Sequence, residues 1–490
     1  MPDAKTHQAA YLGADLSTTA LSVGVRSTES HEDFVAVEMT GATRWHNQPA
    51  FHLEHLPAML VVALDRLRQQ GWEFDQSGCL SFSVRQHDMV LLNQQFEPLI
   101  PSLSWECHVA QQEVAELEKL GIDQIVGPIA PRFVLPKLLW TLRQQSGLAN
   151  EIRHVATTGD FIAAQLTGSL VLSASDALSN ALLDQSTKQV ARDSLALASL
   201  NSDWFPDVVA SGSILGQVST FDTYSPHWDT VREQLQGWSV AAALGDNHAS
   251  AVGCGLADAE TIVISGGSSG TIVRACSAAA PLAGHANCFE FYDDRLLLMM
   301  LADCAIWYNR FLEERMAGNV DHASLNQAAC CVNTDRLVRI RQYEEAGGFR
   351  EEYPSNFVDL NQAEQVASVQ FSIAMELLIR VQAMLAEVQD TEAKVNRFVL
   401  TGGLCQSPWI RWVLHTGLQQ LVPSVNVRVS ARQDKLAFQS ATYGALVNAM
   451  VQGAYFNLPA TIDNLCPQRA CDEPSGEMAT ALAELISTQW

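Results

Sequence analysis

The stretch Ala242–Gly255, which reads AALGDNHASAVGCG, decides how the rest of the chain is interpreted. An apolar run ends at Gly245, Asp246 follows, and nearly all the next residues are small. Aspartate is a favoured helix N-cap because its carboxylate accepts from free N–H groups of the first turn. The same position lies at the positive end of the helix dipole, where anions are stabilised. The pattern predicts a helix that packs very close to another element. It leaves Asp246 with two interpretations, a simple cap or a functional carboxylate.

Composition limits the class of protein. The chain has 490 residues, of which 48% are hydrophobic, and this length favours two domains over one core. With 30 basic and 54 acidic residues the net charge is −24, which disfavours nucleic acid and anionic membranes as partners. The eleven cysteines include no CxxC pair and indicate a reduced intracellular protein. Because the N-terminus lacks an apolar segment and the apolar runs are shorter than the roughly 18 residues of a membrane span, we expect a soluble, cytoplasmic protein.

A polar turn between two short strand-like runs lies near the N-terminus. The segment Tyr11–Arg26, YLGADLSTTALSVGVR, has the pattern of a β-hairpin. Its turn residues Ser17, Thr18 and Thr19 can offer hydroxyl and N–H groups to a phosphate, and Asp15 can hold a magnesium ion through water. The same sequence is compatible with a plain hairpin whose turn faces solvent, so this motif alone is weak evidence for phosphate binding.

The pattern of strand, polar turn and strand occurs again in the second half of the chain. Thr261–Cys276, TIVISGGSSGTIVRAC, predicts strand, Gly/Ser turn and strand, which suggests two related halves. Val395–Gly403, VNRFVLTGG, predicts a strand that ends in a di-glycine turn and is followed by a helix. Such a turn lets a ligand approach the backbone closely. A flexible hairpin tip is the alternative for the first of these turns.

A run of four polar residues interrupts the apolar segment Cys79–Leu92, CLSFSVRQHDMVLL. Arg85 to Asp88 between two buried strands indicates a site, and a surface turn is an equally good explanation. Trp105-Glu106-Cys107 follows in a loop, ahead of a helix predicted over Val109–Leu120.

Taken in order, the motifs DLSTT, GDN, SGGSSG and TGGLCQSP resemble the FGGY family of carbohydrate kinases, with a pattern closest to its xylulokinase branch. The segments SVRQHDMVLLN, PKLLW and GDFIAAQLTG support the resemblance, which covers nearly the whole chain. It implies an α/β fold of two actin-like, ribonuclease-H-like domains with the active site in the cleft between them. The implied domains are 1–256, with sugar binding and the catalytic base, and 257–490, with nucleotide binding.

The resemblance also implies the role of each site residue. Asp246 would be the general base, and Asp15 would orient Mg²⁺. The groups implied to bind ATP are Ser17, Thr18, Thr19, Ser268, Ser269, Gly270, Gly402, Gly403 and Gln406. Those implied to bind the sugar are Gln86, His87 and Asn247, with Glu106 in place of a carboxylate that the family usually has one position later.

The departures from the family pattern are concentrated on the sugar side. Gln86 stands for the usual Met, Asp88 for a Gly, and Trp105-Glu106-Cys107 for Trp-Asn-Asp. Ser17 replaces a Gly in the first phosphate turn. We therefore expect an ATP- and magnesium-dependent kinase for the primary hydroxyl of a ketopentose, with D-xylulose as the first candidate. A kinase for another ketose, such as ribulose, or for a polyol, such as glycerol, remains an alternative. A non-catalytic nucleotide sensor or scaffold is a further alternative. The resemblance implies a homodimer.

Overall fold

The computed structural model describes residues 6–219, 226–292, 294–301, 303–316, 321–345, 348–389, 394–423, 425–430, 440–454 and 468–489. The chain divides into two compact units. The first combines Met1–Gly253 with Cys288–Arg295 and Gln439–Leu465, and the second contains the remaining segments. A two-domain α/β fold is therefore confirmed. The assignment of sugar binding to 1–256 and of nucleotide binding to 257–490 stays a prediction.

The first unit is built on a mixed sheet. Its strands lie in the order Ile214–Gln217, Ser239–Ala241, Cys79–Val84, Tyr11–Leu16, Ala20–Arg26 and Glu32–Glu38. The strand Cys79–Val84 runs parallel to Tyr11–Leu16, and its last residues also pair in parallel with Leu244–Gly245. Because the carboxyl ends of parallel strands meet at one edge of a sheet, the segments after Leu16, Val84 and Gly245 leave the sheet side by side.

Shorter strands and helices surround this sheet. The other strands of the unit are His7–Gln8, Ala42–Trp45, Gln48–Phe51, Trp72–Glu73, Val90–Leu92, Ser102–Leu103, His154–Ala156, Leu172–Ser173 and Val208–Val209. Its helices are Leu56–Gln69, Gln111–Lys119, Asp123–Val126, Val134–Gln144, Thr158–Thr167, Ala174–Leu178, Arg192–Leu197, Asp229–Gln234, Asp246–Gly253 and Ser440–Ala454. One apolar cluster packs against the main sheet and a second surrounds the helix Val134–Gln144.

The helix Asp246–Gly253 packs very close to Ser440–Ala454, as its small residues predict. A Cβ atom on Gly444 would lie 1.8 Å from the carbonyl oxygen of Ala249, far inside van der Waals contact. A Cβ on Gly13, in the neighbouring strand, would lie 2.2 Å from the backbone nitrogen of Leu446. Only glycine at these positions allows the backbones to approach this closely.

The second unit contains the other large sheet. Its strands include, in order, Asp294–Leu301, Gly270–Cys276, Thr261–Gly266, Arg397–Thr401, Asn426–Ser430 and Gln468–Ala470. Thr261–Gly266 and Gly270–Cys276 form an antiparallel hairpin, as predicted, and Thr261–Gly266 pairs in parallel with Arg397–Thr401. The turns after Gly266 and Thr401 therefore lie beside each other.

Helices cover this sheet and carry the apolar core. The helices of the unit are Ala305–Arg315, His322–Ala329, Gln362–Glu387, Pro408–Leu421 and Gly476–Gln489, and a separate hairpin is formed by Arg341–Glu345 and Gly348–Glu352. Gln362–Glu387 is long and apolar enough to cross a membrane by composition, yet most of that apolar stretch is buried inside the protein, as in a core helix.

Two segments differ from their predicted structure. A Ser- and Asp-rich loop is expected over 172–184, but the structure has a strand at Leu172–Ser173 and a buried helix at Ala174–Leu178. Here the hydroxyl of Ser179 and the side-chain amide of Asn180 both donate to the backbone carbonyl of Asp176, so polar side chains bond the backbone inside the protein. The helix expected over 188–200 is shorter and spans Arg192–Leu197.

Candidate active site

Asp246 is the first residue of its helix and is partly buried. Its Oδ1 accepts a hydrogen bond of 2.9 Å from the N–H of Asn247, so the carboxylate does bind a free N–H of the first turn. Burial raises the pKa of Asp246 to about 6, against the lowering effect of hydrogen bonds from the backbone N–H groups of Asn247 and Gln86. The structure thus brings Asp246, Asn247 and Gln86 together at the end of the strand Cys79–Val84.

Asp15 lies on the adjacent strand and is 8% exposed. Its Oδ1 accepts a 2.7 Å hydrogen bond from the hydroxyl of Ser83. Burial raises the pKa of Asp15 to about 7, and the negative charge of Asp246 raises it further while Ser83 lowers it. Asp15 and Asp246 therefore lie close enough for their charges to interact.

The side chain of Ser17 closes the turn that follows Asp15. Ser17 Oγ donates to the carbonyl of Ala20 at 2.9 Å and accepts from the N–H of Ala20 at 3.1 Å. Thr18 and Thr19 are exposed at the tip, and Trp105 Nε1 lies 3.5 Å from Thr18 Oγ1. The predicted hairpin is confirmed, and its hydroxyl groups are accessible.

Arg85 and Asp88 form a buried ion pair beside this turn. Nε of Arg85 donates to Asp88 Oδ2 at 2.8 Å, and Nη1 donates to the carbonyl of Ser17 at 3.3 Å. The other oxygen of Asp88 accepts from the backbone N–H of Trp105 at 3.0 Å. Arg85 and Asp88 thus connect the turn that contains Ser17 to the Trp105 loop. Glu106, next in that loop, is exposed. Burial and the charges of Arg132 and Lys137 lower the pKa of His108, and the charge of Glu106 opposes this lowering.

His87 is buried in a left-handed backbone conformation, with φ of +72°. Non-glycine residues in this region are uncommon and are often found at functional sites. Its Nδ1 lies 3.1 Å from Asn180 Oδ1, and its ring stacks on Phe133 with centroids 4.7 Å apart. Burial, aided by the positive charge of Arg132, lowers the pKa of His87 well below 6.5, so the ring is neutral at physiological pH.

Lys137 fixes the backbone around His87. Its fully buried ammonium donates to the carbonyl of His87, and to the carbonyls of Leu103 and Ser104 at 3.1 Å each. Burial lowers the pKa of Lys137 to about 8. One buried cation thus joins the polar run Arg85–Asp88 to the segment before Trp105.

In the second unit the Gly/Ser turn leads from Gly266 to Gly270. The carbonyl oxygens of Gly267 and Ser268 accept hydrogen bonds from Ala305 and Cys304, at the start of the helix Ala305–Arg315. The N–H groups of Ser268 and Ser269 have no acceptor within the described part of the chain. Consecutive free N–H groups of this kind can bind an anion.

The di-glycine turn packs directly on this hairpin. Gly402 has φ of +88°, and a Cβ there would lie 2.7 Å from the carbonyl carbon of Gly266. Gly403 faces open space, since a Cβ on it would meet no atom within 4 Å. Gln406 is exposed one turn further on, where Arg411 Nη1 donates to its carbonyl at 2.7 Å. The turn therefore combines a tightly packed glycine with an accessible one.

The sequence identifies most of these residues but misses four. Arg132 lies before and Lys137 lies within the segment PKLLW, which the sequence analysis uses only as a motif supporting the family resemblance. Asp176 and Asn180 lie in the segment predicted as a loop. A lysine on the apolar face of Val134–Gln144 is the signal that could have found Lys137, because buried lysines are rare unless they are paired.

Comparisons with known proteins bear on the family and the fold of this chain. Residues 11–253 match the N-terminal domain of the FGGY family of carbohydrate kinases. A xylulose kinase of Klebsiella pneumoniae is 28% identical over 204 residues. The match covers 39% of this chain and 39% of that protein, so the chain spans about two fifths of the length of this relative. Crystal structures titled xylulose kinase from Rhodospirillum rubrum and gluconate kinase from Lactobacillus acidophilus match with TM-scores of 0.81 each, at 18% and 16% identity. Each covers 98% of this chain, and the matches span 97% and 96% of those chains. The similarity in fold thus extends over both units, and the chain belongs to the FGGY family of carbohydrate kinases.

Proposed function

We propose that this protein is an ATP-dependent sugar kinase that transfers the γ-phosphoryl group to a primary hydroxyl of a ketopentose, with D-xylulose as the first candidate. The family and the xylulose kinases among its relatives support this assignment. The structurally similar gluconate kinase is a reason to test other acceptors as well. A cytoplasmic location and a homodimer are part of the same proposal.

The observation that carries the proposal is the environment of Asp246. A general base works best when its pKa lies near the working pH, and burial brings that of Asp246 to about 6. At neutral pH the carboxylate is still largely ionised and takes the proton of the acceptor hydroxyl as its oxygen attacks the γ-phosphorus. The bond from that phosphorus to the β–γ bridging oxygen breaks, and ADP leaves. A positioned base of this kind contributes about 10²–10⁴-fold to the rate.

The acceptor sugar is proposed to lie among residues at the same edge of the first sheet. His87 and Asn247 would bind its hydroxyl groups. Gln86 would do the same, because its buried Nε2 has no hydrogen-bond partner among the described residues. Glu106 is the most exposed of the proposed sugar ligands and would contact the sugar only at its outer end.

The nucleotide is proposed to bind through backbone groups. In the first unit Ser17, Thr18 and Thr19 would line the triphosphate. In the second unit the free N–H groups of Ser268 and Ser269, with Gly270, would hold the transferred phosphoryl group, and Gly402, Gly403 and Gln406 would contact the adenosine. Phosphoryl transfer depends on positioning and charge stabilisation more than on covalent chemistry, so such groups suit it.

Asp15 fits the role of a magnesium ligand. No group of three or more His, Cys, Asp or Glu residues able to hold a metal occurs within the described ranges, as suits an ion that keeps waters and binds substrate phosphates. One oxygen of Asp15 is fixed by Ser83, and a nearby cation would favour the ionised form of a carboxyl whose pKa burial raises. When bound, Mg²⁺ neutralises charge on the β- and γ-phosphates.

The proposal is tested by measuring ADP release with a panel of ketoses, aldonates and polyols. Wild-type protein is expected to turn over with at least one acceptor, and Asp246→Asn is expected to fold normally with kcat lowered about 10²–10⁴-fold. Asp203→Asn, an exposed carboxylate of the first unit, is the matched control. Near-normal turnover by Asp246→Asn would remove Asp246 from the mechanism. Nucleotide binding without turnover on any acceptor would favour a sensor or scaffold.

A further inference from the structure

Arg132 is held next to His87 by the two residues that follow it. The ring of Phe133 stacks on His87, and the N–H of Val134 donates to Asn180 Oδ1 at 3.1 Å, the same oxygen that His87 Nδ1 approaches. This short segment before the helix Val134–Gln144 is therefore fixed to the proposed sugar site by contacts on consecutive residues.

Among the residues that the structure describes, the guanidinium of Arg132 has no counter-ion. Its Nε is buried without a hydrogen-bond acceptor, and no carboxylate of the described ranges lies within 4.0 Å of the group. Arg132 as a whole is partly buried, and because removing an unpaired cation from water is unfavourable, a ligand oxygen at this group would stabilise it. Arg132 and Asp246 interact through space, since the carboxylate raises the pKa of the guanidinium, which burial lowers, yet they form no ion pair.

His87 has a defined tautomer, which fixes what it can bind. Asn180 Oδ1 accepts from the backbone N–H of Val134, and Asn180 Nδ2 donates to the carbonyl of Asp176 at 2.7 Å, so the amide orientation is set by two groups of known polarity. An amide oxygen only accepts, so His87 Nδ1 must carry the proton. The other ring nitrogen, Nε2, is then an acceptor with no partner among the described residues, and it can take only a donor such as a hydroxyl group.

We infer that Arg132 binds a carbonyl or carboxylate oxygen of the acceptor, while His87 Nε2 accepts a hydrogen bond from a neighbouring hydroxyl. This rests on the proposed sugar site and specifies its substrate class. Arginine offers only donors, in a planar fork that suits sp² oxygens. His87 and Asp246 offer acceptors. The site therefore favours an open-chain ketose or a sugar acid over the corresponding polyol, which lacks the sp² oxygen.

The test is calorimetric titration without nucleotide, so that it does not depend on turnover. Wild type, Arg132→Met, Arg132→Lys and the control Lys119→Met, which removes an exposed cation of the same unit, are titrated with D-xylulose, D-xylonate and xylitol. We expect wild type to bind at least one of the first two compounds more tightly than xylitol. Arg132→Met should weaken that binding about 10- to 100-fold and leave xylitol binding unchanged. Arg132→Lys should recover part of the loss, and Lys119→Met should behave as wild type.

The outcomes separate this inference from the proposed function. A larger loss for D-xylonate identifies a carboxylate as the ligand of Arg132, and a larger loss for D-xylulose identifies a carbonyl. Unchanged affinity in Arg132→Met, equal losses for xylitol, or no binding of either sp² compound by wild type would overturn the inference. Binding that depends on Arg132 without any ADP release would instead remove the kinase function and leave the inference standing. Thermal unfolding of each variant confirms that the folded protein is being titrated.

Discussion

Asn247 Nδ2 donates a 2.7 Å hydrogen bond to Oε1 of Gln86, which joins the helix that begins at Asp246 to the end of the strand Cys79–Val84. The backbone N–H of Gln86 lies near the carboxylate of Asp246 and partly offsets the rise in its pKa that burial causes. The proposed base is therefore oriented both from its own helix and from the strand that leads to His87.

The hydrogen bond between Gln86 and Asn247 predicts that substitutions of these two residues have non-additive effects on the acceptor KM. Either alanine substitution should raise the acceptor KM, and the double variant should be no worse than the poorer single, with a coupling energy of about 0.5–3 kcal/mol in a double-mutant cycle. Asn93→Ala, which breaks a hydrogen bond to Glu97 elsewhere in the unit, is the control. Additive effects of the two substitutions would mean that the two hydrogen-bonded residues do not act as one element.

The raised pKa of Asp246 predicts that kcat/KM decreases at acidic pH. The base acts only when ionised, so kcat/KM should fall about tenfold per pH unit below pH 6, the value near which Asp246 titrates. The measurement is kcat/KM for the acceptor from pH 5 to 8 at saturating ATP and Mg²⁺. The residual rate of Asp246→Asn should lack this decrease. A flat wild-type profile down to pH 5 would contradict the assignment.

The same shift predicts that Asp246→Asn is more stable than wild type at pH 7. The folded-state pKa of about 6 lies above the ordinary value of 3.8, so the folded protein holds this proton more tightly than the unfolded chain, and that stabilisation is lost as pH rises from about 4 to 6. At pH 7 the ionised carboxylate costs at most about 3 kcal/mol, which asparagine avoids. Thermal unfolding should show a higher Tm for the variant at pH 7 and a smaller difference near pH 4. An equal or lower Tm at pH 7 would show that desolvation does not dominate.

His87 is expected to act on the sugar and not on ATP. His87→Ala should raise the acceptor KM at least tenfold and leave the ATP KM within about twofold, because the lost hydrogen bond and ring contact belong to the proposed sugar site. The exposed His52 provides the control substitution. Since the pKa of His87 lies well below 6.5, titration of His87 should contribute no change in acceptor affinity between pH 6 and 8. An unchanged acceptor KM in His87→Ala would place the sugar elsewhere.

The adjacent glycines Gly402 and Gly403 should respond differently to alanine. Gly403→Ala meets no atom and has an ordinary backbone conformation, so it should leave Tm unchanged while raising the ATP KM where the new methyl group meets the nucleotide. Gly402→Ala should lower Tm, because its Cβ collides with Gly266 in a backbone conformation that strains other residues. Unchanged ATP affinity in Gly403→Ala would move the nucleotide away from this turn.

Local patterns predict much of the fold. Periodicity predicts helices over 56–69 and 360–388, and the structure has Leu56–Gln69 and Gln362–Glu387. Both glycine- or serine-containing hairpins are confirmed. These features follow from periodicity and turn residues, which are local properties of the chain. The small residues of Asp246–Gly253 also predicted a close neighbour, although the sequence could not say which element it is.

The missed residues depend on contacts between distant segments. Asn180 joins His87 to Val134, residues that lie 93 and 46 positions away along the chain. Arg132 has no neighbouring pattern that marks it, and its importance comes from the absence of a counter-ion among the described residues. Short buried helices such as Ala174–Leu178 escape prediction because their polar residues have weak helix propensity and contact distant segments, as Ser175 Oγ does at 3.0 Å from His248 Nδ1.

The packing of Ser440–Ala454 against Gly13 and Asp246–Gly253 has a consequence for biosynthesis. The helix that completes the first unit leaves the ribosome after nearly all of the second unit, so the N-terminal half cannot reach its final packing while it is being translated. A chain that ends near residue 256 would expose the backbone surface that Gly444 now covers, and it would depend on chaperones or aggregate until the missing helix is supplied.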